Sequence, residues 1–175
     1  MPTTQRSTAR SSDRSTGKST RAKTNDATRL LTKDHDAVKA LFEQYEELVE
    51  DEADDEEKQT LAEDICDMLT VHATIEEEIF YPAAREALQE GDLVDEATVE
   101  HASAKDLIAQ IDAAEPGDEL YDAKVTVLGE YIRHHVKEEE KSMFPKIRKS
   151  ELDTRELGQK LQSKKEKLQT ERTAH

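Results

Sequence analysis

The chain has 175 residues, 34% of them hydrophobic and 38% charged, with a formal net charge of -16 at pH 7. A core drawn from so few apolar residues must be narrow and well solvated, which suits one small helical bundle and excludes a sheet buried on both faces. Five glycines and four prolines leave too few turns for an all-β fold, and the acidic excess disfavours nucleic acid as a partner of the folded domain.

Residues 1–26 read as a disordered basic tail rich in Ser and Thr. Arg6, Arg10, Arg14, Lys18, Arg21 and Lys23 stand there against Asp13, a local charge of +5. Almost nothing apolar is available to offset the entropy of ordering such a segment. Weak contact with nucleic acid or an anionic surface is expected, if anywhere, through this arm. Residues 27–149 read as the bundle and residues 150–175 as a charged helical extension.

A first helix is expected from Ala27 to Glu50, with Leu31, Val38, Phe42, Tyr45 and Val49 forming its apolar stripe. His35 fills the gap in that stripe and points inward. The acidic run from Glu50 to Glu57 reads as a solvated helix end or loop, because it lacks the alternating ligands and central glycine of a calcium loop. A second helix, from about Gln59, carries Leu61, Ile65, Met68, Ile75 and Ile79, with His72 and Glu76 on the same face. Pro82 is expected to kink or end it. After a turn at Gly91-Asp92, a third helix from about Asp95 carries Ala97, Ala104, Ile108 and Ile111, with His101 among them. Pro116-Gly117 marks the next turn. A fourth helix from about Glu119 carries Tyr121, Val125, Leu128 and Ile132, then His135, Glu139 and Met143, with Pro145 placed as Pro82 is. From Glu151 to about Arg172 the chain is helix-prone, and Leu157, Leu161 and Leu168 give it only a thin stripe. Loose docking on the bundle and a coiled contact both stay open for it.

Two patterns repeat. His72-Ala73-Thr74-Ile75-Glu76 and His135-Val136-Lys137-Glu138-Glu139 each place an imidazole and a carboxylate one helical turn apart. Asp34-His35 and Glu100-His101 open similar segments, each continuing to a glutamine, Gln44 and Gln110. The chain is therefore two helical hairpins, each giving one lone histidine and one His-x3-Glu pair. A single histidine on an apolar stripe is ordinarily a hydrogen-bonded core residue, but four at duplicated positions beside two interior carboxylates need a cation. Six ligands exceed the four of a tetrahedral zinc site and suit two ions, with iron ahead of manganese and zinc for imidazole with carboxylate. Two divalent ions would overcompensate two carboxylates and leave room for a hydroxide or a bound anion.

The order His, His-x3-Glu, His, His-x3-Glu resembles the hemerythrin-like family, also called HHE cation-binding domains. The flanks agree as well: Asp34-His35, Glu77-Glu78-Ile79-Phe80-Tyr81-Pro82, Glu100-His101 and His134-His135-Val136-Lys137-Glu138-Glu139-Glu140. The resemblance runs from about Leu30 to Arg148. It implies an all-α, up-down-up-down antiparallel four-helix bundle holding two non-haem iron ions with an oxo or hydroxo bridge. The ligands it implies are His35, His72, Glu76, His101, His135 and Glu139, with the two glutamates bridging. His134 and Tyr131 are candidates for supporting the ligands from behind. No protein nucleophile or general base is apparent.

The implied function is binding O2 for storage, sensing or scavenging. The alternatives are an enzyme that decomposes hydrogen peroxide or handles nitric oxide, and an iron or redox sensor without catalysis. Oxygen-carrying hemerythrins have a further histidine four residues after the third, where this chain has Lys105, so more coordination positions stay open here. Cys66, the only cysteine, excludes an internal disulfide and reads as a small buried residue. No apolar run approaches the ~20 residues of a membrane span, and no signal core is present, so a cytoplasmic setting is expected. Neither an oligomeric state nor a role for His175 follows from the sequence.

Overall fold

The computed structural model describes residues 26–89 and 91–173, which contain helices and turns and no strand. The basic tail up to Asn25 and the terminal His175 lie outside the described residues. Four helices make an up-down-up-down bundle: α1 (Ala27–Glu50), α2 (Asp55–Ile75), α4 (Asp92–Asp112) and α5 (Tyr121–Glu138). The α1–α2 and α4–α5 hairpins close on each other through α1 with α5 and α2 with α4. Asp26 caps α1, its carboxylate accepting from the Arg29 amide at 3.3 Å. The second helix begins at Asp55 rather than near Gln59, because the acidic run supplies its start. Asp54 accepts from the Glu57 amide at 2.9 Å, and Asp55, Glu56 and Glu57 fill the first turn. Acidic side chains there are favoured by the unpaired N–H groups and the positive end of the helix dipole. At this same end of the bundle Gly117 has φ 89°, and a Cβ there would meet Asp55 Oδ2 at 2.7 Å, so the Pro116-Gly117 turn requires glycine on both counts.

Neither proline ends its helix. After α2 the chain widens into a π turn at Glu76–Phe80 and continues as α3 (Tyr81–Leu88); after α5 it does the same at Glu139–Met143 and continues as α6 (Phe144–Lys149). In each π turn an amide reaches back five residues, Tyr81 N–H to Glu76 O and Phe144 N–H to Glu139 O. The proline that follows has no N–H to offer, so one carbonyl of the preceding turn loses its partner in any α-helical register. Admitting one extra residue per turn accommodates this without a break, a device that recurs at functional sites. Both π turns start on a glutamate of a His-x3-Glu pair.

The core has two apolar parts. One contains Leu31, Ile75, Phe80, Met143, Phe144 and Ile147; the other contains Val38, Phe42, Ile65, Leu69, Leu128 and Ile132. Each large side chain buried in them contributes about 1.5–3 kcal/mol. Between them lies a layer of buried polar residues, since His35 falls between Leu31 and Val38, and His72 between Leu69 and Ile75. Val49 does not belong to the core; it is 38% exposed, and the α1 stripe ends at Tyr45. The extension forms α7 (Thr154–Thr173), which lies across α1 and α2 and buries Leu157 and Leu161. No helix of the described residues is long and apolar enough to cross a membrane.

Candidate metal centre

The polar layer brings together all six side chains named from the repeats. His35, His72, Glu76, His101, His135 and Glu139 come from α1, α2, the first π turn, α4, α5 and the second π turn, and each is buried. Their ligand atoms form two sets, His35/His72/Glu76/Glu139 and Glu76/His101/His135, each with its atoms within 4.8 Å of one another. Glu76 belongs to both. Glu139 falls in the first set, with its Oε2 3.3 Å from His35 Nε2 and 3.6 Å from His135 Nε2.

The four imidazoles share one orientation, with Nε2 inward and Nδ1 outward onto a carboxylate. His35 Nδ1 is 2.9 Å from Glu140, His101 Nδ1 3.0 Å from Glu77, His135 Nδ1 2.7 Å from Glu100 and His72 Nδ1 3.5 Å from Asp34. The pattern follows the chain's duplication. The residue before each lone histidine braces the paired histidine of its own hairpin, and the residue after each interior glutamate braces the lone histidine of the other hairpin. A carboxylate behind Nδ1 keeps the proton there and leaves an Nε2 lone pair free.

Those lone pairs meet head-on. His35 Nε2 and His72 Nε2 are 3.1 Å apart, and His101 Nε2 and His135 Nε2 are 3.0 Å apart. Two acceptors at that distance need a proton or a cation between or beside them. Glu76 Oε1, Glu76 Oε2 and Glu139 Oε2 are buried with no hydrogen-bond partner among the described residues. His72 Nε2 and His101 Nε2 lie 3.2 and 3.3 Å from Glu76 Oε2, close enough for charge pairing but not aligned as hydrogen bonds. A buried carboxylate in that state is costly unless something binds it. The two interior and four bracing carboxylates, with Lys105 on Glu77, Lys165 on Asp34 and neutral histidines, carry a net charge of -4. Two divalent cations would balance it, so the donor set and its charge both fit a metal pair. The bracing carboxylates absorb the excess positive charge that the two interior ones leave.

Protons can take the cations' place. Burial alone would push the His72 pKa down, yet Glu76 and Asp34 outweigh it and bring it up to about 10. His35 and His101 are raised against the same desolvation, by Glu139 and Glu76 respectively. Burial would raise the Glu76 pKa, but His72 and His101 hold it well below the usual carboxylate range.

The supporting positions expected for His134 and Tyr131 need correction. Tyr131 is 48% exposed on the outer face of α5. The His134 side chain is 62% exposed and reaches only the far side of Glu100, at 3.4 Å. His134 stands 100° round the helix from His135 and turns out, while Tyr131, only about 40° from His135 but on the His134 side of it, falls at the edge of the face that Leu128, Ile132 and Glu139 bury. The aromatic beside the ligands is Tyr81. Its hydroxyl donates to Glu139 Oε1 at 2.8 Å and sits 3.1 Å from His101 Nε2 and 3.4 Å from His135 Nε2. The bracing residues Asp34, Glu77, Glu100 and Glu140 had a signal, since each is the sequence neighbour of a ligand. Tyr81 had only its place in the Phe80-Tyr81-Pro82 flank. Lys105 points away to Glu77 at 2.5 Å and is not a seventh donor.

Two spaces adjoin the histidines. A cleft of about 290 Å³ between α1 and α5 reaches His35 and Glu140, and an inner cavity of about 20 Å³ touches all four histidines. The two share Val38, Ile132 and Val136 as a common wall. The inner volume suits one water or a diatomic molecule.

Comparison with known proteins agrees with this fold. The crystal structure of a hemerythrin HHE cation binding domain-containing protein from Mycobacterium kansasii matches with a TM-score of 0.69 at 23% sequence identity, covering 83% of this chain and 88% of that one, and so shares the fold. A protein of Nostoc sp. (strain PCC 7120) named DNA nickase is 30% identical over 142 residues, 80% of this chain. The chain spans 39% of that relative's length. The family model described as Hemerythrin HHE cation binding domain matches residues 26–147, and the chain belongs to that family.

Proposed function

We propose that this protein holds two non-haem iron ions on His35, His72, Glu76, His101, His135 and Glu139 and binds O2 or a related small oxidant there. The observation that carries this reading is the shared orientation of the four imidazoles, each braced at Nδ1 and open at Nε2 onto orphaned carboxylate oxygens. Imidazole mixed with carboxylate favours iron over the softer or harder alternatives. When bound, an iron pair supplies redox chemistry toward O2, peroxide or nitric oxide. The chain's part is to bind, brace and enclose. Glu76 joins the two sets, Tyr81 fixes Glu139, and Val38, Ile132 and Val136 separate the inner cavity from the outer cleft.

Peroxide decomposition is the second reading. The second set has three donors against four in the first, and Lys105 stands where the resemblance to oxygen-carrying hemerythrins would place a further histidine. Metal analysis of the purified full chain decides the first point. Two irons per chain are expected, falling to one or none in Glu76→Ala. Zinc or manganese at full occupancy, or no bound metal after iron loading, would overturn the iron reading. Oxygen and peroxide consumption by the iron-loaded chain then separates the two: steady turnover of peroxide that His101→Ala abolishes would make the enzyme reading the correct one.

A further inference from the structure

We propose that Lys165, on the C-terminal helix α7, is a positioning residue for the His35/His72/Glu76/Glu139 set, acting through Asp34 to hold His72 as a weaker donor than its three counterparts. The inference rests on the reading that this set binds a cation. Lys165 lies well beyond Ile147, where the family match ends. Nothing in the His-x3-Glu repeat points to it.

Asp34 is 5% exposed and its two oxygens are divided. Oδ2 faces His72 Nδ1 at 3.5 Å, while Oδ1 contacts the Lys165 ammonium. That Nδ1 contact is the longest of the four, the others spanning 2.7–3.0 Å. Two other bracing carboxylates also meet a basic side chain, Glu77 at Lys105 and Glu100 at His134, but those side chains are 49% and 62% exposed. Water screens charges so placed. Lys165 is 18% exposed and its carboxylate partner 6%, so this pair acts in a drier setting and is felt more strongly.

The helix is seated so as to present that ammonium. Leu157 and Leu161 are buried beside α1 and α2, Thr154 Oγ1 donates to Asp26 at 2.6 Å, Lys164 Nζ lies 2.7 Å from Glu78, and Arg172 contacts Asp67. Seen from His72, a cation on the far oxygen of Asp34 withdraws negative charge that would otherwise strengthen the Nδ1–H contact and make Nε2 a better donor. Removing it has two effects of the same sign. The brace tightens, and one positive charge leaves the neighbourhood of a cation site.

The test uses the metal-free full chain titrated with Co2+ against a competing chelator, with the visible Co2+ bands as readout. Wild type is expected to take up two Co2+ per chain. Lys165→Met should bind one of the two more tightly, on the order of tenfold, and leave the other unchanged. Lys165→Arg should match wild type, and so should Lys164→Met, whose partner Glu78 is 53% exposed. A helix that merely covers the bundle predicts the opposite sign, weaker binding at both positions. That result, no change, or an equal effect from Lys164→Met would overturn the proposal. If Lys165→Met does not fold, Lys165→Gln is read by the same criteria. Wild type that takes up no Co2+ would instead sink the metal reading itself, and this inference with it.

Discussion

Tyr81 separates two descriptions of the site at the scale of one residue. Among the described residues its hydroxyl is the one hydrogen-bond donor on Glu139 Oε1, and the other oxygen of that carboxylate has no hydrogen-bond partner. Burial, then the charges of Glu76 and Glu139, hold its pKa well above the ordinary phenol value, so it stays a donor across the working pH range. Tyr81→Phe removes that bond and leaves a buried carboxylate unpartnered on both sides. The metal-free protein should lose about 1–3 kcal/mol, measured by urea denaturation, and the loss should shrink when metal is bound, because the cation takes over the orphaned oxygens. An equal loss with and without metal would mean that Glu139 is not a ligand. The six interior donors were legible because they repeat, and a repeated His-x3-Glu at helical spacing has no ordinary use in a core. Tyr81 was not. Whether a side chain five residues after Glu76 faces Glu139 depends on the π turn between them, and the proline that induces the turn is equally compatible with a helix end.

The same limit shows at the scale of the element. The α1 bounds followed from the periodicity of its apolar stripe, and the bundle order followed from the family resemblance that the two repeated hairpins carry. The continuation past Pro82 and Pro145 did not, because a proline marks a fault in an α-helix without saying whether the chain breaks or widens. The docking of α7 was likewise hidden, since Leu157 and Leu161 alone make a stripe too thin to recognise. The α1–α5 seam depends on a close approach. A Cβ built at Gly129 would come within 3.0 Å of the Phe42 ring, and Phe42 is 4% exposed, with little room to yield. Gly129→Leu forces the helices apart at Phe42, which lines the outer cleft. A destabilisation of about 1–3 kcal/mol is expected from the shift in the urea midpoint. Gly129→Ala should be close to neutral, because about 1 kcal/mol of better helix propensity offsets a milder contact. A fully tolerated leucine would show that the seam is looser than its geometry.

For the whole molecule, the centre makes folding depend on pH in a way that metal should reverse. His35, His72 and His101 all have folded pKa values above the ordinary imidazole value, His72 at about 10. A group raised on folding binds its proton more tightly in the native state. Its contribution is therefore complete below the unfolded value near 6.5 and disappears as pH rises through the folded one. Glu76 has the opposite shift, so its contribution holds above about 4.5 and is lost on acidification through its depressed pKa. The metal-free protein should thus be most stable between these limits and lose melting temperature steadily from about pH 6.5 to pH 10. Metal displaces those protons, since coordination needs the free Nε2 lone pairs. The loaded protein should keep its melting temperature over the alkaline window, and loading at pH 7 should release protons measurable in a weakly buffered titration. Parallel melting curves for the two forms from pH 6.5 to pH 10 would show that the histidine layer is neutral and unoccupied by cations in both, and the charge balance that ties the fold to its metals would then be wrong.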